Sequence, residues 1–310
     1  MSKAFKNISS LKDKLYDLKH NRLEMGMGLG IDEIDEFMVF KRGAFNICTG
    51  HANTGKTTVI LYMMLAYAER HDLKWLIYSS ENTDYSIARK LIEFRANKVI
   101  QQMTDEEIEL HSDWVDKHFK LVNTEKLHTA YTLLDDVKMI YNNWKFDGLL
   151  IDPYNSLAID SAKQRGKSEH SYHYEVASEM RLFCKENDVT IWLNTHAVTE
   201  ALRRVHEAGH EYAGLPKPPS MADVEGGGKW GNRADDVITI HRYTQHSTRW
   251  NISEIHIRKV KEVETGGKPT PIDMPICLRM LPGNVGFDCA GVDVMKIAQK
   301  SIKSLNSIEF

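Results

Sequence analysis

Residues 50–57 read GHANTGKT: a glycine, four residues, then glycine, lysine and threonine. Those residue types at that spacing do phosphate chemistry. Gly50 and Gly55 let successive backbone N–H groups turn inward around an anion, and the N-terminus of a following helix adds its partial positive charge. Lys56 then reaches β- and γ-phosphates, and the hydroxyl of Thr57 is set for Mg²⁺. Nucleotide contacts are expected at Gly50, Asn53, Thr54, Gly55, Lys56, Thr57 and Thr58. A second metal carboxylate should close another buried strand. FDGLLIDPY supplies Asp152 at the C-terminal end of an apolar run, where open α/β sheets bind their ligands. A hydrolase further needs a group to orient and deprotonate water, and YSSENTDYSIARKLIEF places Glu81 between an extended run and a helix. Asp152 could simply cap a turn and Glu81 could simply favour a helix N-terminus. The phosphate motif upstream decides both in favour of chemistry.

The elements that must position these groups alternate. GAFNICTG (43–50), KWLIYSS (74–80), FKLVN (119–123), FDGLLID (146–152) and TIWLNTH (190–196) are short β-branched or aromatic runs, separated by helical patterns. Continuous apolar strands alternating with helices predict a parallel sheet covered on both faces. After residue 236 the runs VITIHRY, WNISEIHIRKV and PIDMPICLRML have no helix between them, which predicts an antiparallel extension at one edge. Ahead of the sheet, Leu11, Leu15 and Leu18 share a helical face with Ser9 or Ser10 as the expected N-cap, and MGMGLGIDEIDEFM (25–38) breaks that helix with three glycines. The division is therefore an amphipathic arm over 1–22 and a single domain over 23–310.

Composition bounds the function. Forty basic against 43 acidic residues, a net charge of −3, argue against coating nucleic acid through bulk charge. No run approaches the roughly eighteen apolar residues that cross a bilayer, and MSKAFKNISSLKDK carries no apolar signal core. A cytoplasmic protein with no membrane partner is expected, in the host cytoplasm if phage-encoded. Cys48, Cys184, Cys277 and Cys289 form no CxxC pair and are expected to be buried, reduced thiols.

Other patterns weaken on inspection. VHEAGHEYAG contains H-E-x-x-H at His206, Glu207 and His210, yet Ala213 stands where an extended zinc motif needs glycine and GLPKPP ends any helix. His170 and His173 share a face with no completing carboxylate or cysteine cluster. GGGKWG (226–231) is expected to be a hinge rather than a base-stacking loop, and the tail KSIKSLNSIEF a disordered end.

The order of the parts resembles the RecA-like motor domain of ring-forming replicative helicases of the DnaB and Twinkle type, from about Leu23 to Pro282. GLGIDEIDEFMVFKRGAFNICTGHANTGKT is similar to that family's lead-in to the P-loop, SSEN to its glutamate motif, LLIDPYNSL to its Walker B strand and SMADVEGGGKWGNRADDVITIHR to its small-residue segment ending in an arginine. The resemblance implies a RecA-like P-loop fold, ATP with Mg²⁺, and a homo-oligomer, a hexameric ring, moving on single-stranded DNA. It implies that His196, closing LNTH, senses the γ-phosphate, and that IHIRKVKEVETGG offers Lys259 and Lys261 to the nucleotide of a neighbouring subunit. It implies further that the loop holding Lys163, Arg165 and Lys167, and the long 197–220 loop holding Arg203, Arg204 and Lys217, track DNA phosphates. The arm resembles the linker helix with which such motors grip the next subunit, and primase and loader are expected to be separate proteins.

One departure stands out: Lys261 occupies a family arginine position, supplying charge without a bidentate fork. Paired lysines pull toward the alternative of a RecA-type recombinase or recombination mediator. A regulatory RecA-like ATPase ring without nucleic-acid cargo, of the circadian-clock kind, is the third reading.

Overall fold

The computed structural model describes residues 7–20, 22 and 26–306. Its core is a ten-stranded sheet: β1 (Phe45–Thr49), β2 (Trp75–Ser79), β3 (Phe119–Leu121), β4 (Gly148–Asp152), β5 (Thr190–Asn194), β6 (Asp236–His241), β7 (Ile252–Val260), β8 (Ile276–Met280), β9 (Phe287–Cys289) and β10 (Val292–Asp293). The strands lie in the order β10-β9-β8-β7-β6-β1-β5-β4-β2-β3. β1 to β6 pair in parallel, and β7 to β10 add antiparallel ribbon to the β6 edge. The five expected parallel strands and the antiparallel extension are present, but VITIHRY, expected in the extension, forms β6 and joins the parallel part through β1, so that the extension begins with β7. The last two strands escaped the sequence because each is only two or three residues long, too short to show a period.

The helices are α1 (Lys12–Lys19), α2 (Asp32–Asp35), α3 (Lys56–His71), α4 (Asp84–Ala96), α5 (Asp105–His118), α6 (Ala130–Asn143), α7 (Ser161–Gln164), α8 (Glu169–Asn187), α9 (Lys229–Arg233) and α10 (Val294–Asn306). Alternation within each parallel strand divides the core in two. Leu150, Trp192 and Ile238 face a layer containing α3, α4 and α10, whereas Leu149, Ile151, Ile191 and Leu193 face one containing α6 and α8. Apolar side chains lie on both faces, as the unbroken apolar strands require.

α3 is enclosed almost all round: every residue from Val59 to Glu69 is buried. On its outer side the C-terminal ribbon and α10 close over it, with Tyr62 Oη donating to the Phe287 carbonyl at 3.2 Å and accepting from the Met295 N–H at 3.1 Å. The helix that starts at Lys56 is thus clamped between sheet and C-terminus, which fixes the phosphate loop at its head.

Three local expectations change. α1 begins after a 3₁₀ turn at Ile8–Leu11 and is capped by Leu11 without a side-chain bond, so neither Ser9 nor Ser10 caps it. Leu11, Leu15 and Leu18 do share a helical stripe, and it is exposed. Cys48, Cys184 and Cys289 are buried, but Cys277 is exposed: in β8 only alternate residues point inward, Ile276 and Leu278 being buried and Cys277 facing out. The expected disordered tail falls partly on 307–310, outside the described residues, while α10 runs through Asn306.

Gly148 opens β4 opposite Trp75 of β2, and a Cβ there would lie 2.1 Å from the indole. Because Trp75 is wholly buried, it has no room to yield. Gly148→Ala should therefore destabilise the protein by about 1–3 kcal/mol, read as a lower midpoint in urea unfolding; an unchanged midpoint would show that the Trp75 pocket relaxes.

Candidate functional site

The ends of β1, β5, β4 and β2 lie level, since Cys48 pairs with Asn194, Ile151 with Leu193 and Ser79 with Asp152. That shared level brings the loops after four strands to one edge. The turn from β1 into α3 takes left-handed backbone at Asn53 (φ 60°) and Gly55 (φ 84°). At Gly50 the constraint is space: a Cβ would sit 2.3 Å from the Ile240 carbonyl oxygen. Thr54 Oγ1 pins the loop by donating to the His51 carbonyl at 2.9 Å and lies 3.4 Å from that of Ile240. Lys56 Nζ donates to the carbonyls of Gly50 (3.1 Å) and His51 (2.9 Å). Burial pushes the Lys56 pKa down, opposed by the fields of Cys48, Asp152 and Glu81. Thr58 faces α4, where its Oγ1 accepts from Lys90 Nζ at 3.1 Å.

Asp152 is 2% exposed. Its Oδ2 accepts from Thr57 Oγ1 at 2.7 Å and its Oδ1 from Asn194 Nδ2 at 2.9 Å. Desolvation raises its pKa, against the two hydrogen bonds and Lys56, which lower it. A hydroxyl and a carboxylate, both hard oxygen donors, thus meet beside the head of α3, a donor set that fits Mg²⁺. Among the described residues there is no cluster of three or more histidine, cysteine or acidic side chains able to hold a metal by itself. The ion would need phosphate oxygens and water to complete its shell.

Glu81 lies in the turn between β2 and α4, and its Oε1 is 3.5 Å from His196 Nε2, just past β5. The pair bridges the two loops that flank Asp152. His196 is oriented from behind: Asn155 Oδ1 accepts from the His196 N–H and from Thr195 Oγ1, both at 3.1 Å. Asn155 and Asn194, which hydrogen-bond the candidate site groups, were passed over in the sequence. Their signal was there: each is a polar residue at or just past the end of an apolar strand, one in LLIDPYN, one in LNTH.

Lys259 and Lys261 do not join this cluster. They lie where the end of β7 pairs with the start of β6, so they are at the opposite edge of the sheet from the P-loop. There Lys259 Nζ donates to the Gly231 and Ala234 carbonyls, each at 2.7 Å, and Lys261 Nζ pairs with Asp235 Oδ1 at 3.2 Å. Asp235 also holds Arg181 at 2.7 Å. Neither lysine reaches its own chain's phosphate loop.

The two basic loops follow β4 and β5, on the P-loop edge. Most of their cations are engaged: Lys167 with Glu175, Arg203 with Glu200, Arg204 with Asp223, and Lys163 with the ring of Tyr131. The 197–220 loop is braced rather than loose, with a 3₁₀ turn at Thr199–Arg203 and bridges joining Val205 to Pro216 and His206 to Ala213. That bracing leaves His206–His210 in turns instead of a helix, their rings stacked 4.1 Å apart. Trp230, in the glycine cluster, is a core residue packed on Tyr154 and Phe45, not a stacking platform; Gly226 and Gly227 turn the chain into α9 with left-handed backbone.

A family model described as the DnaB-like helicase C terminal domain matches residues 26–270. The Twinkle homolog protein, chloroplastic/mitochondrial, of Arabidopsis thaliana is 24% identical over 275 residues, 85% of this chain but only 37% of that protein's length. Among solved structures, an isolated ATPase domain superposes with a TM-score of 0.69 at 15% identity, covering 91% of this chain and 98% of that one. A DnaB-like replicative helicase, solved in work on its interactions with primase, also gives 0.69 at 14% identity, covering 91% of this chain and 68% of that one. A KaiC-like protein from Pyrococcus horikoshii gives 0.52 at 17% identity over 86% of this chain and 97% of its own. No helix among the described residues is long and apolar enough to cross a membrane.

The raised pKa of Asp152 has a sign that can be measured. The native state holds its proton to higher pH than the unfolded chain does, so stability falls as pH rises through the window between the two pKa values, and above it the full cost of the buried charge applies. Asp152→Asn removes that cost, and Asn194 can turn its amide to offer Oδ1, a buried acceptor with no partner. The variant should melt higher than the parent at pH 7, with the gain shrinking as the pH falls from the raised Asp152 pKa down to the ordinary carboxylate range and levelling off below it. Thermal scans across pH check this; a lower midpoint at pH 7 would mean that the two bonds to Asp152 outweigh its desolvation.

Proposed function

The chain belongs to the family of DnaB-like helicase C-terminal domains, and from that membership we propose that it is the ATP-driven motor of a ring helicase that translocates on single-stranded DNA during replication. Family membership carries nucleotide binding with it. The single observation that best supports the ring is the separation of the cations: Lys259 and Lys261 sit at the sheet edge opposite Lys56, so only a second copy can bring them to a phosphate. A head-to-tail contact of that kind repeats, and closes into a ring when its rotation allows.

Within one interface the chain's own groups divide the work. Backbone N–H groups of the loop from Gly50 to Gly55, with the start of α3, would hold the phosphates, and Lys56 would exchange its carbonyl partners for phosphate oxygens. Thr57 and Asp152 would hold Mg²⁺, which when bound neutralises charge on the β- and γ-oxygens. Glu81 would orient the attacking water and take its proton, and His196, 3.5 Å away, would register the change in charge. From the neighbour, Lys259 and Lys261 would approach the γ-phosphate after leaving Gly231, Ala234 and Asp235. A lysine pair supplies charge but no planar fork. This is the one feature that favours the recombinase alternative, whose filament would use the same two edges.

Residues 23–310 would then be the motor, and the exposed leucine stripe of α1, within the 1–22 arm, the handle on the next subunit. The loops holding Lys163, Arg165 and Lys167, and Arg203, Arg204 and Lys217, would face the DNA. A separate primase or loader is a further proposed partner, as is a cytoplasmic setting.

ATP turnover measured with and without single-stranded DNA tests the reading: stimulation is expected, and no stimulation with no DNA binding at low salt would overturn it. Lys56→Ala should abolish turnover, while Glu81→Gln should retain ATP binding and lose at least about a hundredfold in hydrolysis. Mixing Glu81→Gln with Lys261→Ala subunits should restore part of the activity, because some interfaces then pair an intact Glu81 with an intact Lys261. No recovery at any ratio would count against a shared site.

A further inference from the structure

The 197–220 loop that follows β5 is tied to the phosphate loop at both of its ends. At its start the Ala197 N–H donates to the Gly50 carbonyl at 3.2 Å. Near its far end, the Lys217 carbonyl accepts from His51 Nε2 at 3.1 Å. Consecutive residues of the P-loop thus hold opposite ends of one loop. The first tie is backbone to backbone and available to any sequence; the second depends on one side chain.

His51 is suited to that contact. It is 4% exposed and lines a cavity of about 140 Å³ together with Ala52, Thr54, Leu215, Pro216 and His241. A carbonyl can only accept, so the Nε2 atom must carry the proton. Burial pushes the His51 pKa down, and the neighbouring His241 is pushed down to about 3, so the cavity keeps both rings neutral. The main chain of the same residue is engaged on the other side: the His51 carbonyl accepts from Lys56 Nζ at 2.9 Å and from Thr54 Oγ1 at 2.9 Å. One residue therefore joins the phosphate-binding ammonium through its carbonyl to the basic loop through its imidazole. Beyond Lys217 the chain is rigid, with the Pro219 carbonyl accepting from Thr239 Oγ1 and Arg258 Nη2, both at 3.0 Å. A shift of the His51 peptide would be transmitted to the Arg204–Lys217 part of the loop, since the Lys217 N–H in turn donates to the Arg204 carbonyl at 2.8 Å.

We propose that His51 is a positioning residue that couples the state of the phosphate site to the DNA-facing loop, acting through the Lys217 backbone and not on the substrate. The inference rests on the motor reading above and deepens it: it names the contact by which nucleotide changes the grip on DNA, alongside the sensing expected of His196.

The test uses the full chain and a fluorescent oligothymidylate. Its affinity is measured with ADP and with a non-hydrolysable ATP analogue, together with turnover with and without the oligonucleotide. In the parent, affinity should differ between the two nucleotides. His51→Phe keeps the ring volume but has no N–H, and should shrink that difference by about tenfold. His51→Gln, whose amide N–H reaches a similar distance, should restore most of the difference, which loss of packing alone would not allow. If His51→Phe fails to fold, His51→Leu, which likewise has no side-chain N–H to reach the Lys217 carbonyl, takes its place and should show the same loss. Nucleotide-dependent affinity that survives either change would overturn the coupling role while leaving the motor reading intact. A parent protein that neither binds nor responds to oligothymidylate would overturn both, and that result appears before any substitution is made.

Discussion

A carboxylate exposed to only 2% of its surface, held between the hydroxyl of Thr57 and the amide of Asn194, is the constraint around which this molecule is arranged. Burying a charge costs several kcal/mol unless it is compensated, on the order of what a whole domain has to spare. The carboxylate and its two donors come from three places in the chain that meet only because β1, β5 and β4 are neighbours in that order, parallel and level at their C-terminal ends. A slip of two residues in any one of these strands would carry its donor about 6–7 Å away. The enclosed α3, the two apolar layers and the closing C-terminal ribbon hold that register against the electrostatic cost.

The same parallel sheet separates two chemistries by its own thickness along the strands. Everything that could touch a phosphate of this chain lies at the C-terminal ends of β1, β2, β4 and β5. Lys259 and Lys261 lie where β7 meets the beginning of β6. An antiparallel strand is what makes this possible: β7 runs back down the sheet and delivers its last residues to the far edge. The ribbon therefore does more than shield α3. It gives the chain two unlike ends, the polarity that the proposed head-to-tail assembly would use, and it holds Lys259 on the Gly231 and Ala234 carbonyls and Lys261 on Asp235.

Much of this was legible in the sequence, for a physical reason. Parallel strands buried on both faces must be apolar without interruption, so runs such as FDGLLID and TIWLNTH announce themselves, and the polar residues at their ends mark the binding edge. GHANTGKT was legible because its backbone requirements, left-handed at Gly55 and sterically bare at Gly50, leave few residue choices. What stayed hidden depends on contacts distant in sequence. The exposure of Cys277 follows from β8 having one covered face, which composition does not show. The pairing of Arg203 with Glu200 is local, yet that of Arg204 with Asp223 spans a loop, and the His51 contact spans 166 positions. Nor could spacing alone reveal that the helical pattern of H-E-x-x-H is overruled by bridges to Ala213 and Pro216.

The hidden pairings sharpen the meaning of a net charge of −3. The loops on the P-loop edge are basic in sequence but nearly neutral in place, since Lys167, Arg203 and Arg204 each face an acidic partner. The pairs of Lys167 with Glu175 and Arg203 with Glu200 are solvent-exposed and worth at most about 1 kcal/mol each, whereas a phosphate contact gains from counterion release; Arg204 differs, because its partner Asp223 is buried. For Lys167 and Arg203, exchange of a carboxylate for a phosphate would therefore be a small step. On the proposed motor reading, tight permanent binding would be a poor fit, because DNA would have to be released once per cycle. Cations with carboxylates to return to, in a 197–220 loop tied at both ends to the phosphate loop, would suit repeated grip and release.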